Sequence, residues 1–464
     1  MKRNRFMARG KLGGCLLLGL AALTLASCAR DGFDDETFSS GVTGVTLETP
    51  KVDGITVTPS ADGKSQTVTW KVVYGAGGYK VSLYDAAKRE KPIVTDSVID
   101  GCTVTLDRKE DTNYIFAIRA MGNEKAGNSE STVTEKAFNT FTPAYMSVPE
   151  GDLKEWFEAH PCPADSVGKV LVYDLVPGGN YTLSGVLDFG ANTVQLRSID
   201  KAKPANVVLA ADANFKTYAG LTLKSLNIDC AAAKDLIVLS KTPDASLQVK
   251  SGDYVIKAPI AITSCRIVNV THRLVYDSDT KYALEQFQII NSVIQIDHQD
   301  VVLSFKKTIP INMTFQNSTV YSTSKTGKFF AQIHGTEPGK VTGYAGGSFN
   351  FLNSTFCNLA YSKQFINTNT LKGRASLKLY FTKSIFVDCG KGEIMNRLTN
   401  GTHNLTALQN TYWYNGAKAN EKYDTDVLTT DPGFKDAAGG DFTVSGAEQL
   451  ANRTGDPRWL PAAE

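Results

Sequence analysis

The chain has 464 residues, with 49 Lys+Arg against 47 Asp+Glu, and is 42% hydrophobic and 21% charged, a balance suited to a soluble globular protein of two or more domains. Five positive charges (Lys2, Arg3, Arg5, Arg9, Lys11) stand in the first eleven residues without an acid; without that leader the formal +2 becomes about −3, and nothing argues for a nucleic-acid partner. The 39 glycines, 16 prolines and many Thr, Val and Asn favour an all-β chain over a helical one.

The basic start leads into an apolar run from Cys15 to Leu25, too short and wrongly flanked for a permanent membrane span, and then into Leu25-Ala26-Ser27-Cys28. This resembles a bacterial lipoprotein signal peptide over residues 1–27. The resemblance implies that Cys28 is acylated and becomes the first of 437 mature residues, anchoring the protein in the outer membrane. A tether over 28–44 carries the acidic cluster Asp31-Gly-Phe-Asp34-Asp35-Glu36. The cluster is similar to the export tag that sends Bacteroidota lipoproteins to the cell exterior, and its composition equally suits a solvated linker. The six cysteines beyond Cys28 (Cys102, Cys162, Cys230, Cys265, Cys357, Cys389) form no C-x-x-C pair and have no His at ligand spacing. Buried free thiols are the plain reading, ahead of disulfides, and a zinc site is not indicated.

From 45 to 142 short alternating strands are separated by turn residues: Ser65–Trp70, Gly78–Tyr84, Cys102–Leu106 and Tyr114–Ala120. Their length and spacing predict a β-sandwich of about a hundred residues. Trp70, the Gly78-Tyr-Lys-Val81 strand, and Leu106 followed by Tyr114 in a tyrosine-corner position resemble a fibronectin type III domain, with a longer leucine-to-tyrosine interval than that family usually has. Trp70 and Tyr114 read as core and corner residues. The domain carries no constellation for chemistry and reads as a spacer or docking module.

After Pro149, Leu153, Trp156 and Phe157 recur at helical spacing, predicting a capping helix that ends before Pro161. Val170–Val176 and Tyr181–Leu187 then read as strands around a Gly-rich turn. A degenerate repeat follows, anchored on a small hydroxyl residue: Ser264, Ser292, Ser318, Ser354, Ser384 and Thr411, at intervals of 28, 26, 36, 30 and 27. One strand–turn–strand coil per repeat, unable to bury its apolar side alone, is the signature of a solenoid, and a parallel β-helix fits best. The Asn before the hydroxyl in several repeats suits a sharp bend, where its amide can bond the coils above and below.

The region from 145 to 464 resembles the right-handed parallel β-helix of the pectate-lyase-like fold. The runs Asp431-Pro-Gly-Phe434 with Gly440-Asp-Phe-Thr443, and the closing Gly455-Asp-Pro-Arg-Trp459, are similar to a Bacteroidota family of surface lipoproteins that join a fibronectin type III domain to such a helix. The resemblance implies an association with outer-membrane glycan-import machinery, often for pectin.

An enzyme of this fold class would need calcium held by several carboxylates and an Arg or Lys base. Asp277, Asp279, Asp297 and Asp300 are the candidates, and Ile296-Asp297-His298 echoes a short run of pectate lyases. Counted from each coil's anchor, Asp277 falls at +13 while Asp297 and Asp300 fall at +5 and +8, so they should not share a face. No lyase, hydrolase or esterase motif is found, and Asp297 and His298 read as turn residues.

A binding strip is better supported. In five coils an apolar strand ends in a polar turn: Asp277, Lys306-Lys307, His334, Asn367 with Asn369, and Asn396-Arg397. Successive coils rise by about 5 Å, so these groups should form a ladder that hydrogen-bonds sugar hydroxyls or uronate carboxylates, although polar turns in register are common to all solenoids. Insertions at 334–347 and 240–258 carry Tyr344 and Tyr254, which with Tyr361 could stack on sugar rings or anchor loops. Trp413 falls in the column of Ile267, Ile294, Val320, Phe356 and Phe386 and reads as core.

These observations predict an outer-surface lipoprotein that binds a polysaccharide, with pectin the glycan the resemblance implies. A β-helix polysaccharide lyase or other carbohydrate-active enzyme and a structural or adhesive stalk are the competing readings. No cofactor is expected; calcium enters only under the enzyme reading.

Overall fold

The computed structural model describes residues 40–60, 64–248, 254–297, 300–325, 327–335, 346–368 and 371–462. Cys28, the leader and most of the tether lie outside the described residues, as do His298, Tyr344 and Asn369. The chain divides into two units between Thr142 and Pro143. No helix among the described residues is long and apolar enough to cross a membrane.

The first unit is antiparallel. Thr56–Pro59, Ser65–Thr69 and Thr103–Asp107 form a three-stranded sheet; Val94–Ile99, Tyr79–Asp85, Asn113–Ala120 and Thr134–Asn139 form a four-stranded one. Alternation turns Val68, Val81, Leu83, Val104, Leu106 and Phe116 into a common core between them. The Trp70 ring meets Tyr79 edge-on at 5.3 Å, and the Tyr79 hydroxyl accepts the Val73 N–H at 2.7 Å. Tyr114 is buried, and its hydroxyl accepts the Lys109 N–H at 2.9 Å, tying the loop before its own strand to the core.

The second unit is a parallel β-helix. Most coils supply one strand to each of three parallel sheets, always in the order sheet 1, sheet 2, sheet 3: for example Tyr282–Ile290, Val293–Ile296 and Leu303–Phe305. The repeat read from the sequence is thus a three-strand coil, and sheets 1 and 2 extend back to Met146–Val148 and Gly151–Asp152, before the hydroxyl motif begins. Helix Leu153–Ala159, capped by Asp152 accepting the Glu155 N–H at 3.0 Å, covers the first coils, with the Phe157 ring 5.3 Å from Phe189.

The bend from sheet 1 to sheet 2 explains the motif. Its first residue takes a left-handed backbone: Ser225, Ser264, Asn291, Asn317, Asn353, Lys383 and Gln409 have φ between 47° and 54°. Asn tolerates this conformation best among non-glycine residues, which is why it recurs there. The next side chain points inward and accepts the N–H of its counterpart one coil earlier: Ser292 from Cys265 at 3.1 Å, Ser318 from Ser292 at 3.1 Å, Ser354 from Ser318 at 3.3 Å, Ser384 from Ser354 at 3.2 Å, and Asn410 from Ser384 at 2.9 Å. The ladder therefore begins at Cys265, not Ser264, and ends at Asn410, not Thr411, so its first and last steps are 27 and 26 residues. Side-chain amide bonding between successive bend residues occurs at Asn317 to Asn291, 3.2 Å.

That shift moves Trp413. The residue in register with Ile267, Ile294, Val320, Phe356 and Phe386 is Tyr412, buried and stacked on Phe386 at 5.4 Å. Trp413 stands one residue further, on the outer side of the sheet and half-buried, because Thr411 occupies the outward position next to Ile385. Inside, aromatic rings stack from coil to coil at the strand spacing: Phe315 on Phe351 at 5.2 Å, Phe351 on Phe381 at 4.6 Å, Phe356 on Phe386 at 4.9 Å.

The C-terminal runs form a strap. Val427–Leu428 pairs with Asn410–Thr411, and the following segment returns across the outer face of sheet 2. Phe442 packs on Tyr321 at 4.9 Å; the Trp459 indole donates to Thr319 Oγ1 at 2.7 Å; Arg458 donates to the Asn291 carbonyl at 2.9 Å. Asp456, 1% exposed, accepts from Thr319 Oγ1 and Arg458. Gly455-Asp-Pro-Arg-Trp459 is thus a clasp over Val293, Tyr321 and Cys357. All six described cysteines are free thiols; burial pushes Cys230, Cys265 and Cys357 up to about 12, leaving them inert at neutral pH.

Candidate functional site

The strand register decides which of the candidate residues meet. Tyr276 pairs with Ser304, Ser304 with Gln332 and Gln332 with Asn367, so these four form the outward column of sheet 3. Asp277 falls one place later, in the inward column with Phe305 and Ile333, and is fully buried. It does not belong to the binding ladder. Its carboxylate accepts the N–H groups of Asp279, Lys307 and Thr308 at 3.1, 2.8 and 3.0 Å, and burial still raises its pKa. Asp277 thereby holds the turn on which Lys306 and Lys307 stand exposed, Lys306 lying 3.8 Å from Asp279.

His334 extends from the next coil, half-buried, with Nδ1 3.4 Å from Gln332 Nε2; burial lowers its pKa, so the ring is neutral at pH 7. Asn367 completes this cluster. Asn396 and Arg397 are not part of it: sheet 3 ends at Ile366–Asn367, and residues 390–398 fold as turns, with Lys391 at φ 60° and Asn396 donating to Glu393 at 2.8 Å. Tyr276 is faced by Arg273 at 3.8 Å, which is itself paired with Asp235 at 2.6 Å. Tyr361 is held between Tyr414 at 4.9 Å and Lys325 at 4.8 Å, a loop anchor. Tyr254 starts a short strand beside Tyr282–Leu284, its ring 5.8 Å from Tyr282.

Lys306, Lys307, His334 and Tyr254 therefore occupy one corner, where sheet 3 hands the chain to sheet 1; residues 249–253 and 336–345 of the two insertions lie outside the described residues. The corner borders the outer face of sheet 1, which the sequence reading passed over. Two outward columns run side by side there: Gln286, Asn312, Ser348 and Lys378, and Gln288, Thr314, Asn350 and Tyr380. Their amides are cross-linked, Gln288 to Gln286 at 2.8 Å and Asn350 to Thr314 and Ser348 at 3.0 Å each, which fixes the side chains before any ligand arrives. Lys378 and Tyr380 are exposed, and Tyr380 is followed in its column by Thr406 of Leu405–Leu408. Period-two alternation between Phe287, Ile289, Met313, Phe315, Phe349 and Phe351 would have revealed these columns, had the coils been aligned on strand register.

No grouping of three or more His, Cys, Asp or Glu able to hold a metal occurs among the described residues. Asp277 is committed to backbone N–H groups and Asp279 lies beside Lys306 and Tyr276, so these carboxylates do not fit a calcium site.

Three family models match the chain, each described as a domain of unknown function: DUF4992 over residues 1–176, DUF4957 over 179–323 and DUF5123 over 349–459. No curated protein matches. Among solved structures the chain is similar to the pectate lyase PelI of Erwinia chrysanthemi in complex with tetragalacturonic acid, at 7% identity over 81% of this chain and 96% of that one, with a TM-score of 0.14. It is also similar to the family 28 exopolygalacturonase of Yersinia enterocolitica, at 9% identity over 83% and 98%, with a TM-score of 0.19. Likeness at this level assigns no site.

Proposed function

We propose that this protein is a lipoprotein of the outer cell surface, anchored through Cys28, that binds a polysaccharide along the outer face of sheet 1 for uptake through an outer-membrane glycan-import complex. The observation that carries the reading is the pair of outward columns that include Lys378 and Tyr380. Coils repeat every ~4.8 Å, close to the length of one sugar residue in an extended chain, so each coil offers an amide or hydroxyl to one residue of the glycan. Tyr380 supplies a ring for stacking, and Lys378, Lys306 and Lys307 supply charge for uronate carboxylates, which favours a pectic chain. The first unit, with a buried Trp70, a tyrosine-corner bond from Tyr114 and seven antiparallel strands, reads as a fibronectin type III spacer, and the solenoid as a right-handed helix.

The test is affinity electrophoresis of the chain from Ala29 onward through gels containing homogalacturonan, rhamnogalacturonan, arabinan or no glycan. Retardation by one glycan, lost in Tyr380→Ala and weakened in Lys378→Ala, is the expected result. Retardation that survives both substitutions moves the site elsewhere, and migration unchanged in every gel removes the reading for these glycans. Ultraviolet absorbance of an unsaturated product during the run would instead make the protein a lyase.

A further inference from the structure

The outer face of sheet 2 is only partly covered by the strap. From Val293 onward its outward residues are sealed by Phe442 and Trp459; before it, over three coils, the face is open. Asn206, Asn227 and Arg266 form one outward column there, and Val208, Asp229 and Val268 form its neighbour. Together they line a groove of about 270 Å³. Arg458, bound to the Asn291 carbonyl, places the strap at the end beyond Arg266.

The polar groups of this groove are oriented but incompletely used. Asn206 donates to Asn180 at 3.1 Å and Asn227 donates to Asn206 at 2.9 Å, so the amide ladder runs one way and ends on the Asn227 carbonyl oxygen. Asp229 receives Ala231 N–H and the Asn269 amide, both at 2.9 Å and both on Oδ1. A bulge in the Arg266–Val270 strand places Asn269, at φ 60°, where it can make that bond. Oδ2 of Asp229 and the Arg266 guanidinium make no hydrogen bond or ion pair among the described residues. Val208, 52% exposed, and Val268 flank Asp229 in its column, one coil to either side, and present apolar surface beside the carboxylate.

The geometry points to a second carbohydrate site in this groove, specific for a short neutral oligosaccharide. The valines on either side of Asp229 meet the C–H faces of successive sugar residues. Asp229 Oδ2 and Asn227 Oδ1 accept from its hydroxyls, and Arg266 donates to hydroxyl or ring oxygen. With Asp229 and Arg266 on adjacent coils the groove carries no net charge and, unlike the lysines beside the sheet 1 face, gives a uronate no advantage over a neutral sugar, which separates the two ligand classes. The inference stands on its own residues and does not depend on the sheet 1 reading.

The test is a printed array of neutral and acidic oligosaccharides probed with the chain from Ala29 onward, followed by titration calorimetry of the strongest neutral ligand. Asp229→Asn and Arg266→Ala should each weaken that ligand by about tenfold, the loss of one charged hydrogen bond, while Tyr380→Ala leaves it unchanged. Both groove substitutions are at the surface, and an unchanged thermal unfolding midpoint confirms that the fold is intact. An array with no neutral ligand, or binding that is insensitive to both groove substitutions, overturns the proposal. Loss with Tyr380→Ala alone assigns the ligand to sheet 1 and also overturns it.

Discussion

Asp277 Oδ2 accepts the backbone N–H of Lys307 at 2.8 Å, so a buried carboxylate in one coil fixes the turn of the next. Two further N–H groups, of Thr308 and Asp279, depend on the same side chain. Asp277→Ala leaves three donors without their acceptor and should destabilise the helix by roughly 3 kcal/mol, whereas Asp277→Asn keeps one acceptor oxygen and loses less. Urea unfolding of the two variants, compared at equal m-values, checks both the size and the order of the effects.

Glu421 gives the protein a pH dependence. It is buried, accepts the Met395 N–H at 3.1 Å, and burial raises its pKa from 4.5 to about 7. The folded state therefore keeps a proton that the unfolded state releases near 4.5. Stability from this group is greatest below that value and falls as pH rises through 7, by about 3 kcal/mol in total. Glu421→Gln, neutral at every pH, should flatten the decline: its unfolding midpoint relative to wild type rises between about pH 5 and pH 8, as read by calorimetry. Asp277 and Asp456 have pKa values raised in the same direction, so some slope remains in the variant.

The strap can be loosened without unfolding the solenoid. Trp459 packs on Phe442 at 5.9 Å and donates to Thr319, while Cys357 lies 3% exposed beneath the same cluster. Trp459→Ala should raise the rate of Cys357 alkylation by an order of magnitude or more while Cys265, under sheet 2 away from the strap, stays protected. Peptide mass mapping after timed alkylation distinguishes this from global unfolding, which would expose both thiols together.

Much of the architecture was legible because its causes are local. Strand alternation around Trp70 and Tyr114, the capping residues about Leu153–Ala159, and the Asn-Ser bend recurring with one coil each follow from side-chain chemistry within a few residues. The bend rule also shows why the alignment slipped at both ends. Ser264 takes the left-handed position usually given to Asn, and Asn410 takes the acceptor position usually given to Ser, so matching by residue type displaced Trp413 and Tyr412 by one.

Local sequence pattern thus carries an all-β solenoid whose apolar strands end in polar turns, Lys306-Lys307 and His334 among them. Which faces of that solenoid stay open depends on contacts between distant coils. Asp277 is inward because its register partners are Phe305 and Ile333, and the strap reaches Thr319 across 137 and 140 residues from Asp456 and Trp459. The columns that include Lys378 and Tyr380, like the groove from Asn206 to Arg266, join residues from separate coils. Their juxtaposition depends on coil lengths and inter-coil hydrogen bonds, and no local pattern in the chain records it.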